Sequence, residues 1–396
     1  MNKIIFTEEF CQPENLHPFT LTRQMQDIRI GILTIREKWE RLLILTSFDR
    51  KEDDYKDLDR SISLDEAAKD GDCFMIHGNI LPQTDLIKAM RKLKNGEFIS
   101  VEDPHVGEAG IIFRFTKNEI RDKYKIKITR AVNIKADVKT IRFPWDIFHL
   151  NDWALREDYK LVTQKRKSQT LPRTNRVLKP SQIFIEKGAY VEHCFLNAST
   201  GPIYIGKNAV VMEGSFIRGP FALCEGACLK MGAKVYGATT IGPYSVVGGE
   251  IKNSVVFGFS NKAHDGYLGD SVIGEWCNMG AGTSNSNIKN NAGNVKVWTP
   301  KGEINVGLKC GMMMGDYSRT AINTSVNSGT VIGVCSNIFG NGLTPKYIPG
   351  FSWGSEGVNR YEFNKALQDI ENWMQLKNKS LSQNEKSILK YIFDNY

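Results

Sequence analysis

The 396-residue sequence is short of histidine, with six, and its eight cysteines are scattered singly. No Cys-x-x-Cys occurs, so neither a disulfide framework nor a zinc site is indicated. A zinc centre on a solenoid would need three histidines close in space, and residues 181–345 offer only His193 and His264. Long apolar runs are missing too, none approaching the roughly 18 residues of a membrane span. The opening MNKIIFTEEF turns acidic too soon for a signal peptide. These absences lead us to expect a cytoplasmic protein with reduced thiols, no metal and no membrane partner. Excess charge is modest, at +8. Its most basic stretch, residues 121–142, alternates cations with apolar residues in KIKITR, which reads as an edge strand protected against aggregation. No nucleic-acid motif accompanies it, so no nucleic-acid partner is expected. Anionic small substrates fit the sign of the charge.

What is present divides the chain. Residues 1–143 read as a small α/β domain, with Ile4-Ile5-Phe6 as its first strand. Capping boxes begin helices at Thr34–Glu37 and Ser63–Glu66, and residues 85–94 read as a helix closed by Asn95-Gly96. Strands are expected around residues 111–115 and 126–128. Residues 144–180 form a connecting helix, started by Pro144, and a polar linker. Then the period changes to six. Ile205, Val211, Ile217, Leu223, Leu229, Val235, Ile241 and Val247 recur without a slip, and Leu308, Met314, Thr320, Val326, Ile332 and Ile338 resume it. Small residues such as Ala209, Ser215, Ala227 and Ala233 follow four positions later. An amphipathic helix cannot hold that period; a parallel β-helix with three flat sides can. It is expected over residues 181–345, with a helical segment at 346–396 covering its open end. The stretch 261–282, NKAHDGYLGDSVIGEWCNMGAG, breaks the rhythm and reads as a loop carrying His264 outside the stack. Residues 284–305 also lose the rhythm and read as a loop reaching toward a neighbouring subunit, where Asn287 and Lys289 would act.

The segments LHPFTLTRQMQDIRIGILTIREKW, PWDIF, GPIYIG and EGSFIRGPFAL, with the 261–282 stretch, resemble the bifunctional N-acetylglucosamine-1-phosphate uridylyltransferase/glucosamine-1-phosphate acetyltransferase family. The match is nearest to a compact bacterial variant described as sugar nucleotidyltransferases. The resemblance implies a reduced nucleotidyltransferase-like α/β domain followed by a left-handed parallel β-helix of hexapeptide repeats with C-terminal helices. It implies acetyl-CoA as a substrate, a sugar phosphate as acceptor and a homotrimer. In its His-x-x-Tyr-x-Gly-Asp motif, His264 is the general base and Tyr267 a sugar-phosphate contact. Lys252 matches the lysine that holds the phosphate, Asn278 and Asn287 match asparagines of the site, and Ala281 and Gly282 lie in the turn that contacts the acyl group. The family's phosphate-binding Arg-Pro falls on Tyr236-Gly237, so Arg218 or Lys234 is the candidate substitute.

Three functions follow: an N-acetyltransferase acting on an amino sugar phosphate, a sugar-1-phosphate nucleotidyltransferase whose solenoid serves assembly, and a non-catalytic scaffold or regulatory relative. Histidine suits the first because it can take the proton of an attacking amine near neutral pH. The second requires a phosphate cradle after the first strand, yet residues 7–12, TEEFCQ, contain no glycine and two carboxylates. Arg23 and Arg29 remain as nucleotide contacts, with Mg2+ needed only if this domain is active.

Overall fold

The computed structural model describes residues 3–51, 60–103, 107–122, 125–134 and 137–396. The chain folds as two compact units, one of Met1–Pro13, Arg23–Ile28 and Leu33–Arg142, the other of Glu14–Thr22, Arg29–Ile32 and Phe143–Tyr396. The main boundary falls between Arg142 and Phe143, and two short N-terminal segments belong to the second unit. The short segments 14–22 and 29–32 group with the second unit because they bond to it: Thr22 Oγ1 donates to Asp316 (2.6 Å), and the Gly31 amide donates to Asn151 (2.7 Å).

The first unit is an α/β sheet of seven strands, in the order Arg130–Asn133, Glu97–Asp103, Gly107–Phe115, Cys73–His77, Lys3–Thr7, Ser47–Arg50, Ser61–Ile62. Lys3–Thr7 pairs in parallel with Ser47–Arg50 on one side and Cys73–His77 on the other. The chain thus reverses its direction of travel across the sheet beside Thr7 and His77, the arrangement that opens a ligand crevice outside the strand ends. Both expected capping boxes form, at Thr34 and Ser63. The helix expected over 85–94 is shorter, Thr84–Met90. The edge strand expected in KIKITR is displaced: Lys125–Ile126 pairs with Ile120–Asp122 in a separate two-stranded sheet, and Arg130–Asn133 forms the edge of the seven-stranded one.

In the second unit, parallel strands of two or three residues build three long sheets, of six, nine and eight strands. Successive strands of each sheet come from successive coils, as in Val211↔Leu229 and Leu229↔Val247. This is the parallel β-helix expected from the period of six, of the left-handed class that the resemblance implies. The aliphatics of that period form one buried core, and the small residues Ala209, Ser215, Ala227 and Ala233 are wholly buried at the corners. Leu308 is an exception: it is 57% exposed, and Met312 and Met314 fill the interior instead.

Four further expectations change. Stretch 261–282 does not leave the solenoid; it supplies strands Asn261–Lys262, Tyr267–Gly269, Val272–Ile273 and Asn278–Met279. The rhythm breaks because corners are shorter, so the inward positions run Val247, Ile251, Val256, Lys262, Leu268 and Ile273. The insertion after Asn287 folds back as an antiparallel hairpin, Val295–Thr299 with Gly302–Gly307. The segment read as linker ends in the first strand of the six-stranded sheet, Arg176–Leu178. The connecting helix is two helices, Pro144–His149 and Asn151–Thr163.

The C-terminal helices, Phe363–Gln375 and Gln383–Asn395, lie along the solenoid's side rather than only over its end. Arg319 sits over the Trp373 ring (5.5 Å), Lys377 donates to the Tyr244 carbonyl, and Tyr317 OH donates to Glu385 (3.4 Å). Among the described residues no helix is long and apolar enough to cross a membrane.

Candidate active site

His264 lies on the tight turn between Asn261–Lys262 and Tyr267–Gly269, at the corner between the eight-stranded and six-stranded sheets. Its side chain is exposed, whereas Lys262 before it and Leu268 after it point inward and are buried. The turn is held from both sides. Below it, Gly249 has a left-handed φ of +75°, and a Cβ there would meet the His264 and Gly266 carbonyl oxygens at 3.0 and 2.8 Å. Above it, the Gly282 amide donates to the Asp265 carbonyl (3.0 Å). From inside the solenoid, the Lys262 ammonium donates to the carbonyl oxygens of His264 (2.8 Å) and Gly248 (3.0 Å).

Lys262 was not foreseen. It replaces an aliphatic in the column of Leu229 and Val247. It is 3% exposed, and burial pushes its amine down to about 8 against the pull of Asp265. Comparing inward positions coil by coil would have found it.

Tyr267, Asp270 and Asn287 form a second group beside the turn. Asn287 Nδ2 donates to Asp270 (2.5 Å) and to Tyr267 OH (3.0 Å), and Asn253 donates to the other Asp270 oxygen (2.6 Å). Asn287 thus bonds within its own chain. Burial, with Asp270 and Glu250 adding, pushes the Tyr267 phenol up to about 12, so it stays protonated. The Tyr267 ring lies over Gly269, whose added Cβ would meet the phenol oxygen at 2.1 Å. That is the physical content of Tyr-x-Gly in the motif: the strand position needs no side chain because the tyrosine occupies it.

Lys252 lies in register with Gly269 on one side and Tyr236 on the other. Among the described residues its ammonium has no hydrogen-bonding or ion-pair partner. Arg218 is on the same sheet face but two strands from Lys252. Asn278 is set apart from the Tyr267 group: it pairs with Asn261 and Arg319 on the eight-stranded sheet, across the corner. Of the amides in residues 280–283, Gly280, Gly282 and Thr283 are spent within the fold. Only the Ala281 amide has no acceptor among the described residues. The Gly282 N–H, used by Asp265, is not available to an acyl group. Cys277 is wholly buried and its thiol is pushed up to about 12 by burial, which suits packing rather than attack.

In the first unit, residues 7–12 form a turn with left-handed φ at Phe10 and Gln12. Its carboxylates do not face each other: Glu8 accepts from the Met25 amide (2.6 Å), and Glu9 pairs with Arg50. Arg23 is half-buried in the same unit. Arg29 falls in the other unit and donates to the Ile32 carbonyl, which is a local structural bond. No group of three or more metal-ligating side chains occurs among the described residues.

Residues 4–167 match the sugar nucleotidyl transferase family model. A bifunctional sugar-1-phosphate nucleotidylyltransferase/acetyltransferase of Sulfurisphaera tokodaii is 30% identical over 56% of this chain and 53% of its own length. Over more than half of its length the chain is similar to bifunctional nucleotidylyltransferase/acetyltransferases. The bifunctional protein GlmU of Methanocaldococcus jannaschii is 26% identical over 64% of this chain and 55% of its own length. The chain thus spans about half the length of these curated relatives. A solved Arabidopsis UDP-N-acetylglucosamine acyltransferase aligns over 57% of this chain and 90% of its own, at 16% identity and a TM-score of 0.26, a likeness too low to bear on the site.

Proposed function

We propose that the chain is an acetyl-CoA-dependent N-acetyltransferase acting on an amino sugar phosphate such as glucosamine-1-phosphate, in cytoplasmic nucleotide-sugar synthesis. The observation that carries this reading is the joining of two turns by the Gly282–Asp265 hydrogen bond: one bears the exposed His264 imidazole, the other the unspent Ala281 amide. An attacking amine must lose a proton, for which the imidazole is the base. The oxyanion that forms on the acetyl carbon needs a fixed donor, which the Ala281 N–H supplies. Lys252 is the cation for the acceptor phosphate, Tyr267 and Asn287 hold the sugar, and Asn278 lines the opposite side of the corner. Eight unpaired thiols suit a reducing compartment. A homotrimer with sites between neighbouring solenoids belongs to the proposal, and a monomeric mass in solution removes it.

The test is coenzyme A release from acetyl-CoA and glucosamine-1-phosphate, comparing wild type with His264→Ala. Release by wild type that falls at least about 100-fold in the variant supports the reading. Equal rates, or no release by either protein with any amino sugar phosphate, end it.

A second reading is favoured by one observation, the reversal of strand order beside Thr7 and His77 in a segment that matches the nucleotidyl transferase model. Pyrophosphate release from UTP or dTTP with a sugar-1-phosphate and Mg2+ tests it. Silence in both assays leaves a scaffold or regulatory relative.

A further inference from the structure

We propose that the acetyl acceptor is an amino sugar carried on a nucleoside diphosphate, bound along the outer face of the six-stranded sheet. This rests on the acetyl-transfer reading and names its substrate class. Leading away from the His264 corner, the outward positions stack in register as Tyr267, Glu250, Lys234, Phe216 and Phe195. The parallel column beside them carries Lys252, Tyr236 and Arg218.

Three observations define the ligand. The first is charge. Lys252, Lys234 and Arg218 have no ion-pair partner among the described residues, and Glu250 is the one carboxylate on these strands. A face with this surplus of cations is complementary to a polyanion longer than one phosphate. The second is placement. Tyr236 stands in register with Lys252, and the cation of that strand, Lys234, is in register with Glu250 instead, so a phosphate monoester at Lys252 has no second cation in register beside it. The available positive charge continues along the solenoid, toward Arg218, as a diphosphate would require.

The third is the aromatic pair. Phe195 and Phe216 are stacked, with ring centroids 4.7 Å apart and planes within 12°, yet they are 45% and 49% exposed. Such a plate in water is what a nucleobase stacks on. The column position next to Phe216 holds the long, flexible Lys234, which can turn to a phosphate and leave the ring face open. Phe216 is three strands from Tyr267, about 14 Å at the usual strand spacing. That separation leaves room for a diphosphate and ribose between sugar and base.

In the transfer step, the sugar amine nitrogen bonds to the acetyl carbonyl carbon and the C–S bond of acetyl-CoA breaks. The electron pair leaves on sulfur, and the amine proton passes to His264 and then to the coenzyme A thiolate. The diphosphate and base only bind. A nucleotidyl transfer to an amino sugar-1-phosphate must therefore precede acetylation.

The experiment compares kcat/KM for coenzyme A release with UDP-glucosamine and with glucosamine-1-phosphate. It is run on wild type, Phe216→Ala and Phe216→Leu, the leucine variant keeping the apolar bulk without the ring. Reading the ratio of two acceptors within one protein removes any contribution of nucleotide bound elsewhere. The expected result is a wild-type preference for UDP-glucosamine that falls at least about fivefold in both variants, with the glucosamine-1-phosphate value unchanged. No preference in wild type, or an equal fall for both acceptors, overturns the proposal. So does a lower solution mass of the Phe216 variants, which would make this face a contact between copies. Release with glucosamine-1-phosphate alone overturns the substrate class but keeps the acetyl-transfer reading; release with neither ends both.

Discussion

The buried ammonium of Lys262 donates a 2.8 Å hydrogen bond to the backbone carbonyl of His264, so a charge inside the solenoid holds the turn that carries the exposed imidazole. Methionine at this position keeps the length and loses both donors. We expect Lys262→Met to lower kcat for coenzyme A release about tenfold or more, because misplacing a reacting group by a fraction of an ångström costs rate more than binding. KM for acetyl-CoA should change little. Steady-state kinetics on the folded variant check this.

The same lysine predicts a pH dependence of stability. Its amine falls from 10.5 to about 8 on folding, so between those values the unfolded chain holds the extra proton. Stability from this group is full above 10.5 and is lost as pH falls through 8, a difference of about 3 kcal/mol. Denaturant unfolding should show wild type gaining on Lys262→Met between pH 8 and 10.5. A constant gap across that window would mean that the amine is not shifted.

Gly269→Ala should displace the Tyr267 ring, since the new Cβ would meet the phenol oxygen at 2.1 Å. The hydrogen bond between Tyr267 and Asn287 is then lost. We expect acceptor KM to rise about tenfold, with acetyl-CoA KM unchanged. Tyr267→Phe should reproduce part of that rise, and equal KM values in all three proteins would remove Tyr267 from acceptor binding.

Asn287→Ala removes the donor shared by Asp270 and Tyr267. A buried carboxylate that loses a hydrogen bond costs about 1–3 kcal/mol. Calorimetry should report that destabilisation, and Asn287→Ala with Asp270→Ala should cost less than the sum of the single changes.

In the first unit, burial pushes His77 down from 6.5 to about 4, with Glu9 opposing. Below pH 6.5 the unfolded chain takes the proton first, so the stability tied to a neutral His77 is full above 6.5 and drains away as pH falls toward 4. His77→Gln should unfold with a shallower acid dependence over that interval. An unchanged acid limb would place the loss elsewhere.

Much of the architecture was legible because it is repetitive. Val211, Leu229 and Val247 announce the solenoid by spacing alone, and Thr34 with Glu37 announces a helix start by local chemistry. His264, Tyr267 and Gly269 were legible as a motif. What stayed hidden depends on backbone placement. The unspent Ala281 amide has no signature in residue type, and Asp265 takes the neighbouring Gly282 amide only once two turns stack. Short corners around Gly248 made continuous strands look like a loop. Residues 14–22 sit between first-unit segments in sequence, and nothing local reveals that Thr22 bonds to Asp316.

Lys262 has a consequence for how the coils find one another. Most inward positions are interchangeable aliphatics, so a solenoid of such coils can pair one coil out of step at little cost in buried area. A slipped pairing would bury this ammonium against aliphatics without the Gly248 and His264 carbonyls, and an unpartnered charge in a core costs several kcal/mol. One lysine in an oily column thus acts as an index mark, making a single alignment of the stack stable and the others not.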